Sequence, residues 1–165
     1  MSSARAVSKV KKIFQVKKAG HAGTLDPLAT GVLPIAFGEA TKTVPYLVDT
    51  FKSYQFTIQW GVCTTTGDLE GEIVKNTKKR PMKSEILNAL SMFIGHIDQR
   101  PPLFSSIKIN GKRAYELARL KRNISLSKRK VQIRQFKLIR LIDKDHASFF
   151  VECGKGTYIR SLVTD

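Results

Sequence analysis

Acidic residues are scarce in this sequence. Its 165 residues contain 13 Asp and Glu against 29 Lys and Arg, which gives a formal net charge of +16 and an isoelectric point near 10.1. An excess of this size is larger than solubility requires, so it indicates a polyanionic partner. Charge alone leaves RNA, DNA and an anionic membrane surface open as that partner.

Cysteine pairs, histidine clusters and long apolar runs are also missing. The two cysteines, Cys63 and Cys153, form no close pair, which argues against a disulfide framework. The three histidines are too scattered for metal-ligand spacing, so no metal is expected. No apolar run approaches the roughly 18 residues of a membrane-spanning helix. These absences predict a reducing, cytoplasmic location without membrane attachment.

Hydrophobic residues make up 42% of the chain, which is typical of a folded protein. A length of 165 residues suits one ordinary domain with a real core, so we interpret residues 1–165 as a single domain. Val7, Val10 and Phe14 recur at helical spacing and predict a helix over residues 4–14 with Ser3 as its N-cap. Residues 1–25 contain no acid, which is also typical of an organellar transit peptide.

The clearest strand pattern covers residues 52–60, where Tyr54, Phe56, Ile58 and Trp60 alternate with polar residues. Further strands are predicted near residues 71–74, 106–109, 130–141 and 147–152, and helices near residues 43–48, 84–94 and 114–120. The helix over residues 84–94 would direct Ile86, Leu87, Leu90, Phe93 and Ile94 inward. Because strands and helices do not alternate regularly, we expect an α+β domain with a mixed, largely antiparallel sheet flanked by helices.

Positive charge is concentrated in residues 108–140, here called the basic segment. Glu116 is the single acid among its twelve cations. Such a segment would repel itself without a counter-anion, so a nucleic-acid contact is favoured over a merely solvated face. The cations taken as candidate RNA contacts are Lys108, Arg113, Arg119, Lys128 and Arg129.

Residues 20–34, here called the signature loop, set a single acid among glycine, proline and threonine. Pro27 restricts the backbone of Asp26 immediately before it, so the carboxylate is held on a stiff scaffold. An isolated Asp-Pro pair usually marks an ordinary turn. The neighbouring residues decide against that interpretation, as the following motifs indicate.

Several motifs occur together along the chain. They are the G-H-A-G-T-L-D-P loop from residue 20, residues 35–42 ending in A-T-K, the K-x-Y of residues 52–54, the G-x-x-T-x-T-x-D-x-x-G of residues 61–71, the P-P block of residues 101–119, and the K-G-T-Y-I-R of residues 155–160. In this order they resemble the TruB-type pseudouridine synthases over essentially the whole chain. The resemblance implies the pseudouridine synthase fold. It also implies that the basic N-terminal helix is part of that fold, not a transit peptide.

The resemblance further implies a function without cofactor or metal. The uridine at position 55 in the T-loop of tRNA would be isomerised to pseudouridine by a monomeric enzyme that binds the T-stem-loop. Asp26 would be the catalytic carboxylate, and Arg160 would be the cation that keeps this carboxylate ionised. Tyr54, by alternation alone an ordinary core aromatic, would instead stack on the base and relay a proton. His21 would contact RNA or fill the space of the flipped nucleotide, and Lys42 would contact phosphate near the pocket.

The same resemblance leaves both ends of the family pattern unmatched. A strand is expected before Ser2, and further catalytic elements and a small C-terminal RNA-binding domain after Asp165. A helix beginning near Arg160 would be short, and short helices need tertiary support. We therefore expect Arg160 to be weakly anchored. Two alternatives remain: a catalytically impaired RNA-binding module derived from this fold, and a ribosomal-type basic protein.

Overall fold

The computed structural model describes residues 1–165 and divides them into two units, residues 1–50 and residues 51–165. Every strand pairing within either unit is antiparallel. The expected α+β class with an antiparallel sheet flanked by helices is therefore confirmed. None of the helices is long and apolar enough to cross a membrane.

The N-terminal unit carries the signature loop between two short strands. Its elements are α1 (Ser3–Ile13), β1 (Ala19–His21), β2 (Ile35–Phe37), a 3-10 helix (Gly38–Thr43) and α2 (Val44–Val48). Strands β1 and β2 pair with Gly20 opposite Ala36, which brings the two ends of the loop together. The Phe14 and Phe37 rings lie 5.5 Å apart and join the end of α1 to this small sheet.

Ser2 and Ser3 lie at the start of α1, where their side chains make different hydrogen bonds. Ser2 is the N-cap, because its side chain accepts a hydrogen bond from the Arg5 amide at 3.3 Å. The prediction that Ser3 caps this helix is therefore wrong. Ser3 is the first helical residue and is buried, and its hydroxyl is used for a contact with the signature loop instead. Either serine suits a cap chemically, so the sequence alone did not distinguish them.

The C-terminal unit is built on a four-stranded sheet. Its strand order is β3 (Lys52–Gln59), β10 (His146–Cys153), β9 (Arg129–Leu141) and β6 (Gly95–Gln99). Two separate hairpins are β4 (Val62–Thr64) with β5 (Ile73–Asn76), and β7 (Lys108–Ile109) with β8 (Lys112–Arg113). The helices are α3 (Lys83–Met92), α4 (Ala114–Arg119) and α5 (Ile159–Thr164).

The core lies on one face of this sheet. Phe149 is paired with Phe56 across β10 and β3, and their rings are 5.9 Å apart. Ile133 and Val151 are buried beside them, as the alternation of apolar residues along these strands predicts. Burial also raises the pKa of the Cys153 thiol, which is neutral and free and acts as a small apolar residue here.

Helix α3 packs on this core, but fewer of its apolar residues are buried than the sequence predicts. Ile86 and Leu90 are buried, one turn apart, whereas Leu87 is 48% exposed. Ile94 is also 48% exposed, because the helix ends at Met92 and the chain turns into β6. The inward assignment of Leu87 and Ile94 was wrong. A helix resting on a sheet buries its i, i+4 row, and Leu87 lies about 100° away from Ile86 around the axis.

Strand β6 has no counterpart among the predicted elements. It has one apolar residue at its centre, Ile97, so no alternation marks it. Its pairing with β9, with Ile97 opposite Val131, supplies the stabilisation that local sequence does not. Tertiary context thus creates the edge strand that positions Gln99.

Truncation of a buried side chain on β9 should destabilise the protein far more than truncation of an exposed side chain on the same strand. Ile133→Ala should lower the free energy of unfolding by about 2–5 kcal/mol, because Ile133 is 1% exposed and leaves a cavity. Ile139→Ala, on the same strand but 47% exposed, should cost less than about 1 kcal/mol. Urea denaturation of both variants measures the difference, and equal losses would contradict this description of the core.

Candidate active site

Asp26 lies on the exposed part of the signature loop, in the N-terminal unit. Its carbonyl accepts a hydrogen bond from the Ala29 amide at 2.9 Å, which closes a turn around Pro27. The base of the loop is closed where the Ala22 amide donates to the Pro34 carbonyl at 3.0 Å. Gly23 has a φ of +80°, a left-handed conformation that suits glycine. The loop therefore carries the exposed residue Asp26 on a backbone that is held by hydrogen bonds.

Ser3 anchors the residue next to Asp26. The buried Ser3 hydroxyl accepts a hydrogen bond from the Leu25 amide at 3.0 Å, and it lies 3.3 Å from the Leu25 carbonyl, to which it donates. Both backbone groups of Leu25 are thus held from the start of α1, 22 residues earlier. This positioning role was missed by the sequence analysis. The sequence pattern predicted only a capping role for Ser3, and no local signal pointed to Leu25.

His21 and Lys42, both predicted to contact RNA, also belong to the N-terminal unit. His21 Nδ1 lies 2.6 Å from the Gly23 carbonyl. Because a carbonyl only accepts, Nδ1 carries the proton, and Nε2 is the nitrogen left for other contacts. Lys42 is exposed in the 3-10 helix and pairs with Glu39 at 2.5 Å. A pair that is this exposed contributes little to stability.

Tyr54 lies on β3 in the C-terminal unit, half-buried on the apolar face as alternation predicts. It is opposite Val151 of β10 and packs against the core cluster. Ile159, the first residue of α5, packs against the same cluster. The Tyr54 ring is consequently held against the sheet, and the N-terminal end of α5 packs on the same apolar surface.

Arg160 is firmly held in the C-terminal unit, contrary to the expectation of weak anchoring. Its side chain is 11% exposed. Its Nη1 donates to the Thr66 carbonyl at 2.8 Å, and its Nη2 donates to the Phe104 carbonyl at 2.9 Å. Nε lies 3.8 Å from Oδ2 of Asp68, which completes an ion pair. The guanidinium is therefore oriented by partners from two distant segments.

Helix α5 itself receives the tertiary support that its length requires. The Gln99 side chain, 1% exposed, accepts from the Tyr158 amide at 2.8 Å and donates to the Tyr158 carbonyl at 3.1 Å. The Ser161 hydroxyl donates to the Arg100 carbonyl at 2.7 Å, and Leu162 is buried in the core. No local pattern predicts this role of Gln99, because its partner lies 59 residues away.

Asp68 organises the β4–β5 turn, residues 65–72. Its Oδ1 accepts hydrogen bonds from the Thr66 hydroxyl at 2.5 Å and from the Glu70 amide at 3.0 Å, while Oδ2 faces Arg160. At Gly67, with a φ of +74°, an added Cβ would be 3.3 Å from the Arg160 Cβ. The motif was noticed in the sequence, but Asp68 was not among the predicted site residues. It is the acid that pairs with the Arg160 guanidinium within this unit.

Every cation of the basic segment is exposed in the structure. Lys108 and Arg113 face each other across the β7–β8 hairpin, and Arg113 Nη1 donates to the Ser106 carbonyl at 2.5 Å. The Arg119 guanidinium lies 5.6 Å from the centre of the Tyr115 ring. Lys128 and Arg129 follow, in the loop before β9 and at its first residue.

A groove of about 580 Å³ opens between the β7–β8 hairpin and the loop after α4. Its polar and charged lining consists of Asn110, Lys112, Arg122, Asn123 and Ser125. Cations combined with amide and hydroxyl groups match the phosphates and sugar hydroxyls of a nucleic-acid backbone. No group of three or more His, Cys, Asp or Glu side chains is placed to hold a metal ion.

The predicted site residues are thus divided between the two units. Asp26, His21 and Lys42 lie in residues 1–50, and Tyr54, Arg160 and the basic segment lie in residues 51–165. Within the second unit, the structure brings Arg160 together with Thr66, Asp68 and Phe104.

Comparison with known proteins agrees with these motifs. The profile of the TruB family pseudouridylate synthase N-terminal domain matches residues 11–159. The proteins named tRNA pseudouridine synthase B from Bartonella henselae and Caulobacter vibrioides are 55% and 53% identical over 165 residues, which is 100% of this chain and 52% and 53% of those proteins. The chain thus spans about half the length of these curated relatives.

A solved structure is similar as well. A chain of the Cbf5-Nop10-Gar1 complex superposes with a TM-score of 0.69 at 29% sequence identity, covering 99% of this chain and 39% of that one. The profile match over most of the sequence, together with the identity to these relatives, shows that this chain belongs to the TruB family of pseudouridylate synthases.

Proposed function

We propose that this chain supplies the catalytic part of a tRNA pseudouridine synthase acting on uridine 55 of the T-loop. The observation that carries the proposal is the signature loop, which holds one acid, Asp26, on an anchored backbone in a strongly basic protein. The relatives named tRNA pseudouridine synthase B support tRNA as the substrate. We also propose that residues 1–165 belong to one catalytic domain.

The proposed reaction is an isomerisation in which all atoms of the nucleotide are retained. The bond between ribose C1′ and base N1 breaks, the uracil rotates, and C1′ joins C5 of the same base. The proton on C5 is removed, and N1 gains one. A carboxylate beside C1′ assists departure of the base as a nucleophile or by stabilising positive charge on the sugar, as carboxylates do in glycoside hydrolysis. Asp26 is the proposed carboxylate.

The remaining groups have distinct proposed roles. Tyr54 stacks on the uracil during rotation, and its phenol moves the C5 proton. Arg160 supplies the positive charge that keeps the catalytic acid ionised. The target uridine must leave its stack to reach such groups, so base flipping is part of the proposal, with His21 contacting the RNA. Lys42 and the basic segment neutralise phosphates of the T-stem-loop.

We further propose that the enzyme acts as a monomer in the cytoplasm. Both cysteines are free thiols, with Cys63 exposed and Cys153 buried, which suits a reducing compartment. The chemistry proposed here uses only side chains of the protein, so no cofactor or metal takes part in it.

Replacement of the proposed catalytic carboxylate should stop the reaction but leave tRNA binding nearly unchanged. Asp26→Asn should abolish tritium release from tRNA labelled at C5 of uridine, and the tRNA dissociation constant should stay within a few-fold, because the acid acts on the glycosidic bond. Asp49→Asn removes a carboxylate from the same unit and should leave turnover unchanged. Normal turnover of Asp26→Asn would show that the assignment is wrong and would favour an RNA-binding module without catalysis.

Loss of the phenol should separate catalysis from folding. Tyr54→Phe keeps the ring on the apolar face of β3, so the melting temperature should change little. The rate constant at saturating tRNA should fall by about 10²-fold or more if the hydroxyl moves the C5 proton. Tyr46→Phe, at a tyrosine that is 78% exposed, is the matched control. Equal rates for the two variants would reduce Tyr54 to a packing residue.

Affinity for tRNA should depend steeply on salt. Each phosphate neutralised by the basic segment releases counterions, so the dissociation constant should rise strongly between low and physiological salt. Arg122→Ala removes a cation from the groove beside the β7–β8 hairpin and should lower the log–log slope by about one. Lys144→Ala, outside the basic segment, should leave the slope unchanged. A flat salt dependence of the unaltered chain would contradict RNA binding by this segment.

A further inference from the structure

The β4–β5 hairpin stands apart from the sheet that forms the core. It is a separate two-stranded sheet, and all four residues of β5 are exposed, with Ile73 64% and Val74 63% exposed. An isolated two-stranded hairpin is marginally stable in water. The position of this hairpin must therefore be set by contacts at its two ends.

One end, the β4–β5 turn, holds the Arg160 guanidinium through the Thr66 carbonyl and the Asp68 carboxylate. The turn is internally rigid. Besides the bonds to Asp68, the Thr65 amide donates to the Glu72 carbonyl at 2.9 Å, and the Thr65 hydroxyl accepts from the Glu72 amide at 3.1 Å. A displacement of the hairpin would thus move two of the partners of Arg160, Thr66 and Asp68, together.

The other end is tied by Arg80, which follows β5 in sequence. Its Nε donates to Oδ1 of Asp145 at 2.6 Å, and its Nη1 donates to the carbonyls of Thr77 and Lys79, each at 2.9 Å. The two charged side chains are about two-thirds shielded from solvent, at 33% and 31% exposure. One guanidinium therefore joins the end of the hairpin to the turn between β9 and β10, which belongs to the four-stranded sheet.

The strand entering the hairpin is fixed at the same place. The Trp60 amide donates to the Asp145 carbonyl at 2.8 Å, and the Thr77 amide donates to the Gly61 carbonyl at 2.7 Å. Gly61 has a φ of +82°, and a Cβ there would clash with Arg80 Nη1 and with the Thr77 carbonyl. Glycine thus leaves room for the guanidinium between the two strands. We call this arrangement of Arg80, Asp145 and the Thr77 and Lys79 carbonyls the clasp.

We propose that Arg80 is a positioning residue for Arg160, acting through the β4–β5 hairpin. The clasp fixes the base of the hairpin to the main sheet, and the turn at its tip orients the Arg160 guanidinium. The planar fork of arginine is required, because a lysine would reach Asp145 without satisfying the two carbonyls in the same geometry. This inference rests on the proposed function, in which Arg160 keeps the catalytic acid ionised.

The test compares Arg80→Ala and Arg80→Lys with Lys79→Ala, which removes the same charge one residue earlier and leaves the clasp intact. The rate constant for pseudouridine formation is measured in a single turnover with saturating enzyme, a quantity that an unfolded fraction does not alter. Arg80→Ala should lower it by about 10-fold or more, with tRNA affinity within about twofold, and Arg80→Lys should be intermediate. Lys79→Ala should match the unaltered chain.

Hydrogen–deuterium exchange of the same variants tests the linkage without activity. Arg80→Ala should speed exchange in residues 62–76 and also in residues 158–164, where Arg160 lies, whereas Lys79→Ala should do neither. An unaltered chain that is inactive would refute the proposed function, and the exchange measurement would still decide on the clasp. Unchanged exchange in residues 158–164, or equal single-turnover rates for Arg80→Ala and Lys79→Ala, would overturn the inference.

Discussion

In the C-terminal unit, several distant segments are arranged around one constraint: the largely buried Arg160 guanidinium needs hydrogen-bond and ion-pair partners. A cation with only 11% of its side chain exposed requires partners for its donors, since desolvated charge is costly when unpaired. Those partners come from the β4–β5 turn and from Phe104, and the Tyr158 backbone just before helix α5 is fixed by Gln99. Segments far apart in sequence must therefore meet at one side chain. Such a convergence fixes the orientation of the guanidinium within this unit.

The N-terminal unit shows the opposite arrangement, because its acid, Asp26, is exposed. The carboxylate of Asp26 lies on an exposed loop, and rigidity comes from the backbone on either side of it. A single hydroxyl, that of Ser3, bonds to both the amide and the carbonyl of Leu25. The resulting loop combines an exposed side chain with a fixed main chain.

Strand β9 shows how one element serves both stability and charge. Val131, Ile133 and Phe136 are buried on its inner face, whereas cations such as Arg134 and Lys137 are exposed on the other. Glu152 pairs with Arg134 at 3.4 Å and leaves the excess positive charge of the basic segment largely uncompensated. The apolar face holds this charge in place, and the exposed charge is available to a polyanion.

The sequence by itself determined the elements whose residues repeat with a clear period. Alternation located β3 with Tyr54 half-buried, and motif order identified the family, because both signals can be read from the order of residues along the chain. Only the tertiary structure decided that β6 is a strand, that Ser3 anchors the signature loop and that Asp68 accompanies Arg160. It also overturned the expected weak anchoring of Arg160, whose partner Thr66 lies 94 residues away. Periodicity encodes which side of an element faces the core, but it carries no information on which distant carbonyl or carboxylate a polar side chain will meet.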